Sequence, residues 1–274
     1  MSSLLYYVYG VVRPGMAVAP APRGLDGAPV VLEPAPDTVP AIEMPAAALV
    51  SRVDAAAYSP AVVEARVGDV EWVGPRAEAH DAVLTWASEQ DAVVPFPMFT
   101  LYASAESLHG MLRERGAVLD ALLRRVAQAD EWSVRLFRLD DQMAAALTAW
   151  SPAMAELERQ AAAATPGQRY LLERKADERR GAELLRLSAE AANDSFTALS
   201  SHAEAAVRDA LPAARMRERQ AGAAILDAAF LVHRDRGAGF RAAVAELART
   251  LEPRGLRIAL SGPWPPYHFV REPS

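Results

Sequence analysis

The sequence contains no cysteine. Disulfides, thiolate metal sites and cysteine nucleophiles are thereby excluded, and the composition suits a reducing cytoplasm. Positive charge is also short. Lys and Arg number 29 against 35 Asp and Glu, a formal net charge of -6. A surface that binds nucleic acid needs a basic excess to meet the phosphates, so nucleic acid is not expected as a partner. The basic pairs Arg124-Arg125 and Arg179-Arg180 are interleaved with acids and read as solvated helix faces.

Long hydrophobic runs are missing too. The apolar opening from Leu4 to Val12 is too short to span a bilayer, follows no lysine or arginine, and is ended by Arg13-Pro14. No later stretch approaches a membrane span, so a cytoplasmic protein without membrane contact is expected. Nor is there a glycine-rich phosphate cradle, a GxSxG elbow, an HExxH or a DxDxDG loop.

The five histidines offer little in compensation. His80 shares a helical face with Val83, Leu84 and Ala87 and reads as a half-buried structural residue. His233 and Asp235 fall at a strand end without the further ligands a metal needs. His109, His202 and His268 are each solitary. The carboxylate pairs Glu156/Glu158 and Asp140/Asp141 are explained by solvation. No catalytic residue, metal site or cofactor is therefore expected.

What the chain does have is apolar content, 51% of 274 residues, enough for two domains with real cores. Leu4 to Val12 is apolar on both alternating faces, as a strand inside a sheet would be. Residues 13–45 hold eight of the twenty prolines and read as a meandering loop with one short strand, Pro29 to Glu33. A second main strand is expected over Ala46 to Val53. Pro75 suits the start of a helix to Gln90, and Pro95 and Pro97 leave a kinked edge strand in Ala92 to Leu101. Ser104 should cap one helix to about Ala129, with Arg115 interrupting its apolar stripe and Gly116 lowering its helix propensity.

A boundary is expected before Trp132, giving an N-terminal α+β domain, residues 1–130, and a C-terminal domain, residues 131–274. The second opens on an alternating strand, Trp132 to Leu139. Thr165-Pro166-Gly167-Gln168 then carries the signature of a helix start. Beyond it Ala182, Leu185, Ala189, Ala192, Phe196, Leu199, Ala203, Ala206 and Ala210 keep one narrow seam at alternating spacings of three and four, until Pro212. Such a seam packs either on its own sheet or on a partner helix. Ala223 to Val232 is undecided by periodicity, Gly237 to Leu251 reads as helix and Leu256 to Leu260 as strand. The order fits an α+β fold of ferredoxin-like type.

The closing Gly262, Pro263, Trp264, Pro265, Pro266 and Tyr267 form a stiff, aromatic segment. It is either a strap on the protein's own core, in which case removing Trp264 destabilises the fold, or a partner-binding surface.

These residues resemble the gas vesicle GvpF/GvpL family. The resemblance runs through Tyr6-Tyr7-Val8-Tyr9-Gly10, Gly24-Leu25-Asp26-Gly27, His80, Val93-Val94-Pro95-Phe96 and Leu101-Tyr102-Ala103-Ser104-Ala105-Glu106. It continues through Glu131-Trp132-Ser133-Val134-Arg135, Pro166-Gly167-Gln168-Arg169-Tyr170-Leu171 and the closing motif. One departure is that Pro95-Phe96-Pro97-Met98-Phe99-Thr100 lacks the arginine and glycine of the family's Pro-hydrophobic-Arg-Phe-Gly pattern. The resemblance implies two α+β domains, the second a modified ferredoxin-like fold, and no cofactor. It also implies a non-enzymatic role in gas vesicle assembly, in contact with the hydrophobic shell protein GvpA and other accessory proteins. The rival readings are a minor resident component of the shell, and a metal-dependent hydrolase or transferase using His80, His233 or Asp235.

Overall fold

A computed structural model describes residues 4–34, 46–211 and 222–270. The chain divides into two compact units, Met1–Glu131 together with Pro263–Ser274, and Trp132–Gly262.

In the first unit, strand β1 (Leu4–Val12) is buried from Tyr6 to Val12. It lies inside an antiparallel sheet with β2 (Val31–Pro34), β3 (Ala47–Asp54), β4 (Val93–Pro95) and β5 (Leu101–Tyr102). The order is β2-β3-β1-β4, with β5 also on β1. Burial on both faces is the reason β1 is apolar at every position instead of alternating. Between Val8 and Gly10 its register against β3 slips by a bulge. A Cβ at Gly10 would stand 2.6 Å from the Val94 carbonyl oxygen, so only glycine lets β4 lie this close.

Four helices accompany the sheet: α1 (Pro60–Arg66), α2 (Val70–Gln90), α3 (Ala105–Glu114) and α4 (Gly116–Arg125). Helix α2 begins before Pro75, where the sequence suggested its start. Asp69 accepts the amides of Glu71 and Trp72, an N-cap strong enough to place Pro75 inside the helix. The helix buries Trp72, His80, Val83, Leu84 and Ala87 against the core of Tyr7, Tyr9, Leu25 and Leu49. The single helix expected after Ser104 is two, broken at Arg115 (φ -100°, ψ 3°). Ser104 and Ser107 cap its start reciprocally.

The second unit follows the order β6 (Ala129–Arg138), α5 (Asp140–Trp150), α6 (Pro152–Ala163), α7 (Pro166–Ser200), β7 (Ala205–Arg208), β8 (Ala223–His233), α8 (Gly237–Leu251) and β9 (Leu256–Trp264). Its sheet runs β7-β8-β6-β9, and its core gathers Trp132, Leu136, Leu147, Leu199, Phe230 and Phe240. Thr165 and Gln168 cap α7 reciprocally, as the sequence indicates. The helix stops at Ser200, short of the Ala210 that the seam suggested. Ala205 to Arg208 instead pair with β8, from Ala205↔Leu231 to Arg208↔Ala228; Pro212 lies outside the described residues. Alanine spacing alone does not separate a helix from a short edge strand that a neighbour can hold by hydrogen bonds.

The closing residues also depart from expectation. The sequence assigned all of 131–274 to one domain, whereas the segment from Pro263 belongs to the first unit. Its side chains bond there, as described next. Among the described residues no helix is long and apolar enough to cross a membrane.

Candidate functional site: a groove in the first unit

The loop between β4 and β5 is held from beneath by two buried side chains. Tyr7 points from β1 and His80 from α2, and the Tyr7 hydroxyl lies 2.7 Å from His80 Nδ1. His80 also makes a backbone hydrogen bond with Phe96, and a tyrosine that donates to Nδ1 leaves the other ring nitrogen to carry the imidazole proton. Tyr7 Oη in turn accepts the Phe99 amide at 3.3 Å. One relay thus secures both ends of the 96–99 loop. Burial pushes the Tyr7 hydroxyl well above its ordinary range and pushes His80 below the usual imidazole value, so both are neutral.

Phe99 takes a left-handed conformation (φ 63°) and stacks on Trp72 with ring centres 5.2 Å apart. Of the two positions where the resemblance breaks down, Pro97 is exposed and Thr100 donates its hydroxyl to the Pro97 carbonyl at 2.7 Å.

Above this loop lies a groove of about 730 Å³, walled by Pro95, Phe96, Met98, Tyr102, Tyr267 and Val270. Asp81 and Arg115 also line it. The Arg115 guanidinium sits 5.7 Å from the centre of the Phe96 ring. Burial raises Tyr102, with Arg115 opposing the shift.

The closing segment forms the opposite wall. Tyr267 donates its hydroxyl to Asp81 at 2.8 Å, and burial, with Asp81 adding to it, raises the Tyr267 hydroxyl far above its ordinary range. The His268 amide donates to Glu131 at 2.8 Å, and His268 Nδ1 lies 2.5 Å from the same carboxylate, which is 1% exposed. Pro265 and Pro266 are buried, whereas Gly262, Pro263 and Trp264 are not. Trp264 is 44% exposed, and the deep aromatic anchor is Phe269 at 3%. The segment is thus tied to the first unit through Tyr267 and His268 and buries Phe269, while Trp264, expected to be its anchor, is the most exposed of its aromatics.

A second network holds the Gly24-Leu25-Asp26-Gly27 turn. Tyr9 donates to Ser51 at 2.9 Å and accepts the Leu25 amide at 2.9 Å. Ser51 in turn donates its hydroxyl to the Pro29 carbonyl at 3.0 Å. Asp26 accepts from Tyr58 at 2.6 Å and from Arg76 at 2.9 Å.

The remaining sequence candidates do not assemble. His233 Nδ1 accepts the Asp235 amide at 3.3 Å, but the Asp235 carboxylate is 89% exposed. Among the described residues no three His, Cys, Asp or Glu side chains are grouped to hold a metal ion. His109 and His268, solitary in sequence, have partners in Glu33 and Glu131. The buried Glu131 was missed. A carboxylate beside Trp132 at a strand start gives no sequence signal of burial, because its partner lies 137 residues on. Tyr267 and Asp81 are committed to each other, His80 to Tyr7 and Thr100 to the Pro97 carbonyl, and Pro95, Phe96, Met98 and Val270 give the groove a shaped apolar wall, which is the chemistry of binding.

A family model described as gas vesicle synthesis protein GvpL/GvpF matches residues 5–271. Gas vesicle protein L of Streptomyces sp. (strain CB03234) is 29% identical over 272 residues, covering 97% of this chain and 92% of that protein. The crystal structure of gas vesicle protein GvpF from Anabaena sp. PCC7120 superposes with a TM-score of 0.68 at 18% identity, over 99% of this chain and 98% of that one. GvpF from Microcystis aeruginosa gives 0.64 at 15% identity, over 99% and 100%.

Proposed function

We propose, because this chain belongs to the gas vesicle synthesis protein GvpL/GvpF family, that it serves gas vesicle synthesis as a non-enzymatic accessory protein. In this reading it works in the cytoplasm and at the growing vesicle, where it binds the hydrophobic shell protein GvpA and other accessory proteins. The observation that carries the reading is the groove over the 96–99 loop. A shell subunit is amphipathic and prone to aggregate before assembly. A rigid apolar groove on an acidic chain shields one apolar segment while net charge keeps the complex dispersed.

Rigidity matters because a preformed groove loses little entropy on binding. The Tyr7–His80 relay supplies it by bonding the loop at both Phe96 and Phe99. The test is binding of purified full-length protein to the shell protein, alone and with other accessory proteins. Met98→Glu, which sets a charge in the groove wall, is expected to abolish capture without lowering the melting temperature. Undiminished binding by that variant removes the groove from the reading, and no binding by the parent protein under either condition removes the reading itself.

A further inference from the structure

Helix α7 carries a heptad seam that the fold uses only in part. Stepping alternately by three and four from Gln168 gives Leu171, Lys175, Glu178, Ala182, Leu185, Ala189, Ala192, Phe196 and Leu199. At the far end Ala192 and Leu199 are buried in the second unit's core, with Phe196 packed against it. At the near end Leu171 is 64% exposed and Leu185 63%, and Ala182 and Ala189 are exposed as well.

The cause is geometric. A straight α-helix drifts about 20° per heptad against a seven-residue repeat, so the four heptads from Leu199 back to Leu171 turn the seam by about 80°. Helix α6 covers a neighbouring face, meeting Leu172 and Ala176, and leaves this one open.

The open stretch is complementary to itself. Lys175 and Glu178 occupy consecutive seam positions, and Lys175 is the only lysine in the chain. Glu178 is bonded to Arg174 at 3.0 Å on the exposed surface, an arrangement that leaves its carboxylate open to a second cation. Laying the same helix antiparallel on itself about a point between Lys175 and Glu178 brings each lysine opposite the other copy's Glu178. The same operation sets Leu171 against Ala182 and Leu185 against Gln168, with no charge in either layer. On the flanks Arg174 meets Gly181 and Arg179 meets Leu172, so no like charges are opposed. A parallel pairing would instead stack lysine on lysine and glutamate on glutamate.

We propose that α7 pairs antiparallel, over residues 168–185, with α7 of a second copy of this chain. The dimer is independent of the shell-protein reading, since it uses the other unit. It is tested on the full-length protein by light scattering across a wide concentration range, with Lys175→Glu, Glu178→Lys and the double exchange. Each single reversal is expected to weaken association about tenfold or more, because like charges then meet at both central layers. The double exchange restores the opposition and is expected to restore the dimer. Both positions are solvent-facing, and the melting curves of all three variants are expected to match the parent's.

Carbodiimide coupling of a mixture of nitrogen-15-labelled and unlabelled protein provides the second readout. It joins the Lys175 amine to the Glu178 carboxylate, and a linked peptide of mixed isotope shows that the bond lies between copies. A parent protein that stays monomeric throughout overturns the proposal. So does a dimer indifferent to the single reversals, or one whose double exchange fails to rescue it.

Discussion

Tyr7 and His80 stand 73 residues apart in sequence and 2.7 Å apart in the fold. The tyrosine hydroxyl donates to an imidazole that burial keeps neutral, and the pair holds the loop that floors the groove. Tyr7→Phe keeps the ring and removes only the relay, leaving His80 Nδ1 and the Phe99 amide without their partner. The expected loss is about 1–3 kcal/mol, read from the denaturant midpoint.

The same pair sets a pH dependence. His80 is depressed in the fold by burial, so below its ordinary value the unfolded chain takes up a proton that the folded one refuses. Its contribution is complete above about pH 6.5 and declines as pH falls below that. In His80→Gln the loss of stability between neutral and mildly acidic pH should be shallower than in the parent. Identical slopes would show that His80 is not the group responsible.

Two glycines in one turn are needed for different reasons. Gly24 has an ordinary φ of -80°, but a Cβ there would stand 2.0 Å from Tyr9 Oη and 2.5 Å from Ser51 Oγ. Gly24→Ala must therefore push the turn off its hydrogen bonds, at about 1–3 kcal/mol. Gly27 has open space around it and φ +75°, so Gly27→Ala costs only the left-handed conformation, about 1–2 kcal/mol. Gly27→Asn should recover most of that loss, since asparagine tolerates the region, whereas Gly24→Asn should be worse than Gly24→Ala. Thermal denaturation of the four variants decides the ranking.

In the second unit, Glu183 accepts from Arg186 and from Ser151, the latter at 2.6 Å. The Arg186 bonds foremost, then Ser151, lower its carboxyl to about 2. A depressed carboxylate contributes stability above the ordinary carboxylate range and loses it as pH falls toward the folded value. A side-chain NMR titration should place the Glu183 midpoint near 2, and Ser151→Ala should move it upward. Ser151 also caps α6 through the Met154 amide, so the variant loses about 1 kcal/mol besides. A midpoint in the ordinary range in the parent would contradict the geometry.

Strands β1 and β3, the capped start of α7 and the whole of α8 were legible because their patterns are local. An all-apolar run, a Thr-Pro-Gly-Gln start and a helical stripe each specify structure without knowing their neighbours. The end of α7 was not legible, because Ala203, Ala206 and Ala210 fit a helix as well as an edge strand and only β8 decides. Asp69 was overlooked as a cap because Pro75 offered a more conspicuous start. For the groove, His80 could be read as half-buried, but nothing local to it names Tyr7, and nothing local to His268 names Glu131. Contacts that span most of the chain are a property of topology, which periodicity does not encode.

The strap offers the sharpest contrast between what residue type suggests and what burial dictates. Tryptophan is the larger apolar side chain and the natural anchor on composition, yet Trp264 is 44% exposed while Phe269 is 3%. A side chain left this exposed gives up far less on truncation than a core one, so Trp264→Ala should shift the melting curve much less than Phe269→Ala does. Phe269→Ala empties a core site and should cost about 3–5 kcal/mol. Glu131→Gln lies between them. It keeps the shape of the carboxylate but removes the charge that holds both the His268 amide and ring. Its effect should be local, appearing as faster hydrogen exchange at His268 and Phe269 before any change at β1. If Trp264→Ala instead unfolds the protein while Phe269→Ala is silent, Trp264 and not Phe269 anchors the strap.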